Sequence, residues 1–226
     1  MNAFWLRPKP RSIPAMPIKE SSDELNPPVA VPASEVAPPK RRRTFSDYVA
    51  LAIATCGVGY IPIAPGTWGS LVGVMILLRL RPVVFEIFEI RFAGRIQDDA
   101  WRLFFERSFF TSILLLVVIA LSIIGIWAAS RAERLLGRKD PKAVVIDEVV
   151  GQLITYVFVF DFIGPIGIAM GFVLFRAFDI IKPYPIRRLE GLHGGLGIVA
   201  DDILAGLYAG TVLLILLTLS SLRVIP

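Results

Sequence analysis

Residues 109–129 limit the possible folds of this chain more than any other stretch, because these twenty-one consecutive positions contain no charged side chain. As an α-helix they would extend over about 30 Å, which is the thickness of the hydrocarbon layer of a membrane. Hydrophobic residues make up 55% of the chain, and its mean hydropathy is +0.67. The sequence therefore predicts an all-α, polytopic integral membrane helical bundle.

The beginning of the chain has a different composition. Residues 1–39 hold nine of the seventeen prolines and few large apolar side chains, so they cannot bury a core. A basic run, Lys40–Arg43, follows; it is either a solvated linker or, as we favour, an anchor on acidic lipid. We predict a disordered N-terminal extension over 1–44 and a membrane-embedded domain over 45–226.

Charge and cysteine content narrow the class of partner. The formal net charge is +5, and the basic residues lie next to apolar segments, so we expect anionic lipid and not nucleic acid as the partner. The chain has one cysteine, Cys56, which excludes an internal disulfide. Because Cys56 lies in an apolar stretch, we interpret it as a buried structural thiol.

Further helices are predicted from the apolar pattern and its breaks. The predicted helices are 45–56, 67–80, 147–160, 166–181 and 198–222, in addition to the span at 109–129. Residues 81–108 are predicted to form a helical connection that lies on the surface. Gly57–Ser70 contains two prolines and four glycines, so an ordered loop is predicted there, with Thr67 or Ser70 capping the next helix.

The positive-inside tendency places 40–43, 131–146 and 182–197 in the cytoplasm. In that topology four groups of charged or glycine-rich helix ends meet on one side of the membrane. These are Gly57–Ser70, Asp147 with Glu148, Arg176–Lys182, and His193–Asp202. The arginines of 81–108 count against this topology, because they would lie outside.

Carboxylates that meet at one end of apolar helices are typical of a site for a hard cation and a phosphate. We therefore predict metal-assisted phosphoryl transfer, in which Mg²⁺ polarises the phosphate and helps to activate water. Arg176 and Lys182 would neutralise phosphate charge, and His193 would act as a general acid or base or as a phosphate ligand. Helix capping at the membrane interface is the alternative for each acid pair.

Two other phosphatase mechanisms do not fit the chain. A cysteine phosphatase needs an arginine six residues after its nucleophile, but Pro62 occupies that position relative to Cys56. A histidine-nucleophile lipid phosphatase uses two histidines, and this chain has one.

Four sequence blocks resemble the phosphatidylglycerophosphatase A family. In chain order they are GVGYIPIAPGTWGSL at 57–71, VVIDEVVG at 144–151, FRAFDIIKPYPI at 175–186 and HGGLGIVADDILAG at 193–206. The resemblance implies a Mg²⁺-dependent integral membrane phosphatase that converts phosphatidylglycerophosphate into phosphatidylglycerol and phosphate. Together with the topology above, we expect a bacterial inner (plasma) membrane protein with its active site on the cytoplasmic face.

The site predicted from the residues and the resemblance together has three parts. The catalytic residues are Asp147, Glu148, Asp179, His193, Asp201 and Asp202. All of these except His193 are also expected to ligate Mg²⁺. Phosphate and substrate are expected to contact Arg176, Lys182, Gly66, Thr67, Ser70, Gly194 and Gly195. The alternatives are a phosphatase for another lipid phosphate, and a transporter or channel subunit that uses the same carboxylates for ions.

Overall fold

A computed structural model of the chain describes residues 42–159, 163–189 and 191–222, and within these ranges every regular element is helical. The seven α-helices are α1 (Phe45–Thr55), α2 (Pro65–Phe92), α3 (Asp99–Leu136), α4 (Ile146–Thr155), α5 (Pro165–Ile181), α6 (Ile186–Leu189) and α7 (Gly195–Leu222). Short 3₁₀ turns lie at Val58–Tyr60 and Ala93–Arg95. The predicted all-α fold is confirmed. The predicted extension lies outside the described residues except for its last three positions.

Helix α4 forms the centre of the bundle, because α2, α3, α5 and α7 all pack against it. Val150 and Leu153 are completely buried there. Its ten residues would extend over about 15 Å, half the thickness of a bilayer. The prediction of one helix through 147–160 is therefore wrong: α4 ends at Thr155, and turns occupy 156–159.

Helices α3 and α7 are the two in the described part of the chain that are long and apolar enough to cross a membrane. The predicted span at 109–129 lies inside α3, which has 38 residues. Helix α7 has 28 residues and begins three residues before its predicted start at 198. Two candidate spans, together with shorter apolar helices packed beside them, are compatible with a polytopic membrane bundle.

Residues 81–108, which we call the hairpin, differ from their prediction. They do not form a separate helix on the surface: 81–92 continues α2, 99–108 begins α3, and a tight connection joins them. Phe88 is 2% exposed, and its ring lies 5.9 Å from that of Phe109 between centroids. The apolar spacing that suggested a surface helix therefore serves to pair two long helices.

Helix α2 begins earlier than the sequence predicts, at Pro65, so the second half of the predicted loop is helical. Proline suits the first position of a helix, because the N–H that it lacks would have no partner there. Thr67 and Ser70 therefore lie inside α2 and do not cap it. The Ser70 hydroxyl instead donates to the Gly66 carbonyl at 3.0 Å.

Small residues set the relative direction of the central helices. Gly206 of α7 packs on the Gly151 carbonyl of α4, and Gly210 of α7 packs on Thr155, one turn further along both helices. Helix α2 likewise advances along α4, with Gly69 against Val145 and later residues against later ones. Helices α2, α4 and α7 are therefore parallel, and their N-termini lie at the same end of the bundle.

Candidate active site

Three carboxylates meet where the parallel helices begin. Asp147 and Glu148 lie in the first turn of α4, and Asp202 lies about two turns into α7. One oxygen atom from each of the three lies within 4.8 Å of the other two. We call Asp147, Glu148 and Asp202 the acid cluster. Its geometry agrees with the predicted meeting of the two acid pairs.

The acid cluster lies mostly in the interior and is incompletely hydrogen-bonded. Asp147 is 8% exposed and Asp202 is 3% exposed. Asp147 Oδ1, Glu148 Oε2 and Asp202 Oδ2 have no hydrogen-bond partner in the described part of the chain. Like charges that are buried together are costly unless a cation or a proton neutralises them. This donor set of carboxylate oxygens therefore fits a hard divalent cation.

An ion pair between Arg176 and Asp179 lies beside the acid cluster. Near the C-terminal end of α5, Arg176 Nη1 lies 2.6 Å from Asp179 Oδ2, and both side chains are less than one-fifth exposed. The Asp179 carboxyl adjoins that of Asp202, and the Arg176 charge acts on Glu148. Arg176 and Asp179 thus lie at the acid cluster, as their sequence positions predicted.

Gly66 lets the N-terminus of α2 come close to the side chains of Glu148 and Arg176. A Cβ atom at that position would collide with Glu148 Oε1 and would lie 3.0 Å from Arg176 Nη1. Glycine therefore leaves space for these two charged ends at the N-terminus of α2. Backbone N–H groups at the start of a helix favour anions, and three helices begin at this end.

Lys182 and Asp201 form a second ion pair next to the acid cluster, with 2.7 Å between Nζ and Oδ2. Lys182 follows α5 in a left-handed conformation, with φ of 46°, and this directs the chain away from the helix axis. Asp201 also lines a polar cavity of about 260 Å³. The other charged side chains that line this cavity are Glu133, Lys139 and Asp140.

Other predicted site residues lie apart from the acid cluster. His193 is exposed, and its side chain has no hydrogen bond or ion pair to another described residue. The Gly195 N–H donates to Ser130 Oγ of α3 at 2.8 Å, and Gly194 lies over the same serine with φ of 68°. Thr67 is half-buried, and the Ser70 hydroxyl is used within α2. Catalytic or binding roles for these residues stay predictions.

Cys56 lies near Glu148, and this affects the pKa of its thiol. Burial and the neighbouring Glu148 carboxylate together raise the pKa of Cys56 to about 11. The thiol therefore keeps its proton at neutral pH, and its sulfur donates to the Ile53 carbonyl at 3.3 Å. A structural thiol, half-buried and not fully buried as predicted, fits these observations.

The sequence analysis missed Gln152, Ser130 and Asp140. Gln152 is fully buried one turn after Glu148. Ser130 holds the start of α7, and the charge of Asp140 acts on both Asp147 and Asp201. Only Gln152 carried a usable signal, which is a polar side chain four residues after Glu148 in an otherwise apolar helix.

Comparison with known proteins identifies the family. The sequence model described as phosphatidylglycerophosphatase A matches residues 51–217. The chain belongs to this family. Phosphatidylglycerophosphatase A of Haemophilus influenzae is 33% identical over 175 residues, which are 76% of this chain and 90% of the relative. The Escherichia coli protein of the same name is 30% identical over 179 residues, 77% of this chain and 86% of the relative.

A Bacteroides thetaiotaomicron protein, provisionally named a phosphatidylinositol-3-phosphatase, is 34% identical over 154 residues. These cover 68% of this chain and 83% of that relative. No solved structure matches the chain. Family membership makes the protein a phosphatase with a lipid substrate, and the two candidate spans agree with a membrane location. It supports the phosphatase interpretation over the transporter or channel alternative.

Proposed function

We propose that this phosphatase removes the terminal phosphate of phosphatidylglycerophosphate and releases phosphatidylglycerol and inorganic phosphate. The observation that carries the proposal is the acid cluster beside Arg176, in which each carboxyl group has one buried oxygen without a donor among the described residues. Two relatives that the chain matches over most of their length are named phosphatidylglycerophosphatase A. A buried group of carboxylates next to a guanidinium suits a phosphate monoester that binds together with a cation.

The cation of this proposal is Mg²⁺, held by Asp147, Glu148 and Asp202. The fit rests on the oxygen atoms that lack donors and on their mutual distance of at most 4.8 Å. When bound, Mg²⁺ would polarise the phosphate and offset its negative charge. Asp179 and Asp201, which the sequence also suggests as ligands, are each already paired with a basic side chain.

The remaining residues bind and orient the substrate in this proposal. Arg176 donates to the phosphate oxygens, and Gly66 lets Arg176 and Glu148 lie at the N-terminus of α2, where backbone N–H groups favour an anion. Hydrolysis forms a bond from a water oxygen to phosphorus and breaks the bond to the glycerol oxygen, which takes up a proton. Asp179 and His193 are the groups that we propose for moving protons; His193 would need to move inward from its exposed position.

The polar cavity next to the acid cluster is the proposed place of the headgroup. Its volume of about 260 Å³ and its mixture of carboxylates with Lys139 suit the hydroxyl-bearing glycerol. The acyl chains would stay in the bilayer, because the acid cluster lies at the ends of apolar helices. Catalysis would therefore take place at the membrane surface.

We further propose that the protein lies in the bacterial inner membrane with the acid cluster on the cytoplasmic side. Support comes from the basic residues that follow the long uncharged stretch of α3, beginning with Arg131, Arg134 and Arg138. Cytoplasmic loops carry such an excess of lysine and arginine. This end of α3 is also where Ser130 contacts the start of α7.

The test is phosphate release by the purified full-length protein in detergent micelles. Phosphatidylglycerophosphate, phosphatidic acid and phosphatidylinositol 3-phosphate would be compared at equal surface concentrations. We expect the first to be hydrolysed fastest, EDTA to abolish activity, and Mg²⁺ to restore it. Preference for phosphatidylinositol 3-phosphate would instead support the activity named for the Bacteroides relative. Full activity after exhaustive chelation would contradict the metal-dependent mechanism.

A further inference from the structure

Gln152 is a polar residue in the interior of the bundle that the proposed mechanism does not yet use. It lies in α4 four residues after Glu148 and has no exposed surface. Neither the nitrogen nor the oxygen of its amide has a hydrogen-bond partner among the described residues. A buried amide without partners is destabilising, and an apolar side chain would pack better here unless the amide had a function.

The side chains of Glu148 and Gln152 lie one above the other in the same groove. Gly69 of α2 contacts the Cβ atom of Glu148, and Gly73, one turn later, contacts the Cβ and Cγ atoms of Gln152. Side chains of a helix lean toward its N-terminus, which favours an amide at position 152 that reaches toward Glu148. The two glycines keep α2 close and leave no room for another side chain between them.

The Glu148 carboxylate also has an oxygen atom that could accept a hydrogen bond. Its Oε1 faces Gly66 and Arg176, whereas Oε2 is buried and has no donor in the parts of the chain that are described. An amide NH₂ group on the next turn is a suitable donor, either directly or through one water molecule. On the other side of Gln152, the Tyr156 hydroxyl adjoins the amide and donates to the Ile168 carbonyl at 2.6 Å.

We propose that Gln152 is a positioning residue for Glu148. Its amide donates through one bridging water molecule to Glu148 Oε2 and so holds Oε1 toward Gly66 and Arg176, where the cation and phosphate of the proposed function would bind. Residues that orient a ligating carboxylate typically change metal affinity or activity by about 10- to 100-fold when they are removed. This inference rests on the proposed role of Glu148 in the acid cluster.

The first test replaces Gln152 with leucine or methionine, which remove the amide and nearly keep the volume. We expect kcat to fall about tenfold or more, KM to change less than about twofold, and the Mg²⁺ concentration for half-maximal activity to rise several-fold. In contrast, the unfolding temperature of the EDTA-treated protein should stay the same or rise, because an unpaired amide has left the interior. Methionine checks that the leucine result does not come from shape.

Thr155 offers a matched control on the same helix. It is 1% exposed, and its hydroxyl donates to the Gly151 carbonyl of its own helix at 3.1 Å. Thr155→Val nearly keeps the volume and removes a buried polar group that lies about two helical turns from Glu148 and is used within its own helix. We expect its turnover and Mg²⁺ dependence to equal those of the unchanged protein.

A double-mutant cycle separates this inference from the proposed function. If Gln152 acts through Glu148, Gln152→Leu should reduce turnover no further in a protein that already carries Glu148→Gln. Full turnover of Gln152→Leu with raised stability would show that the amide is merely tolerated, and a joint loss of turnover and stability would show a structural role; either overturns the inference. Normal activity of Glu148→Gln alone would instead contradict the proposed function.

Discussion

The acid cluster and the hairpin are both rich in charged residues, but they differ in how far these residues are buried and whether they are paired. Asp147 and Asp202 are less than one-tenth exposed, and each has an oxygen without a donor in the described chain. In the hairpin, Glu89 Oε1 lies 2.6 Å from Arg102 Nη2, and the two side chains are 30% and 40% exposed. The hairpin carboxylate thus has both a partner and access to water.

This contrast shows why the number of charges does not locate a functional site. Exposed ion pairs contribute little, because water already solvates both groups. Buried carboxylates without donors are unfavourable in the free protein, and they persist where a ligand or a proton compensates them. Burial without partners therefore separates the acid cluster from the hairpin, although the sequences of both have many acidic and basic residues.

The largest expected effect comes from Asp202→Asn, which keeps the volume of the side chain but removes its charge. If Asp202 stabilises charge at the reacting phosphate through a bound cation, turnover should fall by roughly 10²-fold or more. If Asp202 has only a structural role inside α7, asparagine of the same size should replace it with little loss of turnover. Phosphate release from folded, membrane-inserted variants is the measurement.

Asp98 in the hairpin is the matched control, because it does cap a helix. Its Oδ1 accepts hydrogen bonds from the N–H groups of Ala100 and Trp101 at 2.9 and 3.1 Å. Asp98→Asn should keep both the cap and normal turnover. If Asp98→Asn were as inactive as Asp202→Asn, the functional difference between the acid cluster and the hairpin would be lost.

A smaller effect is expected from Gly66→Ala. The new Cβ atom would displace the Glu148 carboxylate and press on Arg176, but both are ends of flexible side chains, so the protein should still fold. We expect turnover to fall about fivefold, corresponding to roughly 1 kcal/mol in barrier height. In the hairpin, Gly94 has nothing within 4 Å of an added Cβ, and Gly94→Ala should leave turnover unchanged. Equal turnover of both variants would show that the space at Gly66 is not needed.

The smallest effect is expected from Glu89→Gln, which breaks the ion pair of the hairpin. Because both partners are substantially exposed, the unfolding temperature in detergent should change by less than about 2 °C. Turnover should remain within about twofold of normal. A large loss of activity, measured in the same phosphate-release assay, would assign the hairpin a part in function that its exposed charges do not indicate.

Much of the fold follows from local patterns in the sequence. The uncharged stretch at 109–129 predicted a spanning helix, and α3 contains it. The breaks at Pro165 and Pro183 predicted the limits of α5 closely, because proline starts helices easily and does not continue them. Predictions failed where tertiary packing decided the outcome: glycines along α2 reduce helix propensity, yet they make a helix favourable where α4 must come close.

The predictions for the site likewise succeeded in part and failed in part. The residue types and their order indicated a phosphatase, and membership of the phosphatidylglycerophosphatase A family supports that interpretation. The sequence also indicated that two acid pairs would meet, because both pairs lie near the beginnings of apolar helices. It did not indicate that, among the described carboxylates, Asp147, Glu148 and Asp202 would lie within 4.8 Å of one another while Asp201 is paired to Lys182.

By itself, the sequence determined the all-α class, the apolar span of α3, and which charged side chains lie near helix ends. These properties depend on hydrophobicity and on backbone preferences that act over one or two turns. Only the tertiary structure decided that α4 is a short buried helix, that His193 is exposed, and that the Gln152 amide, one turn after Glu148, has no hydrogen-bond partner in the described part of the chain. Burial and partners depend on helices that are distant in the sequence, so a local pattern cannot specify them.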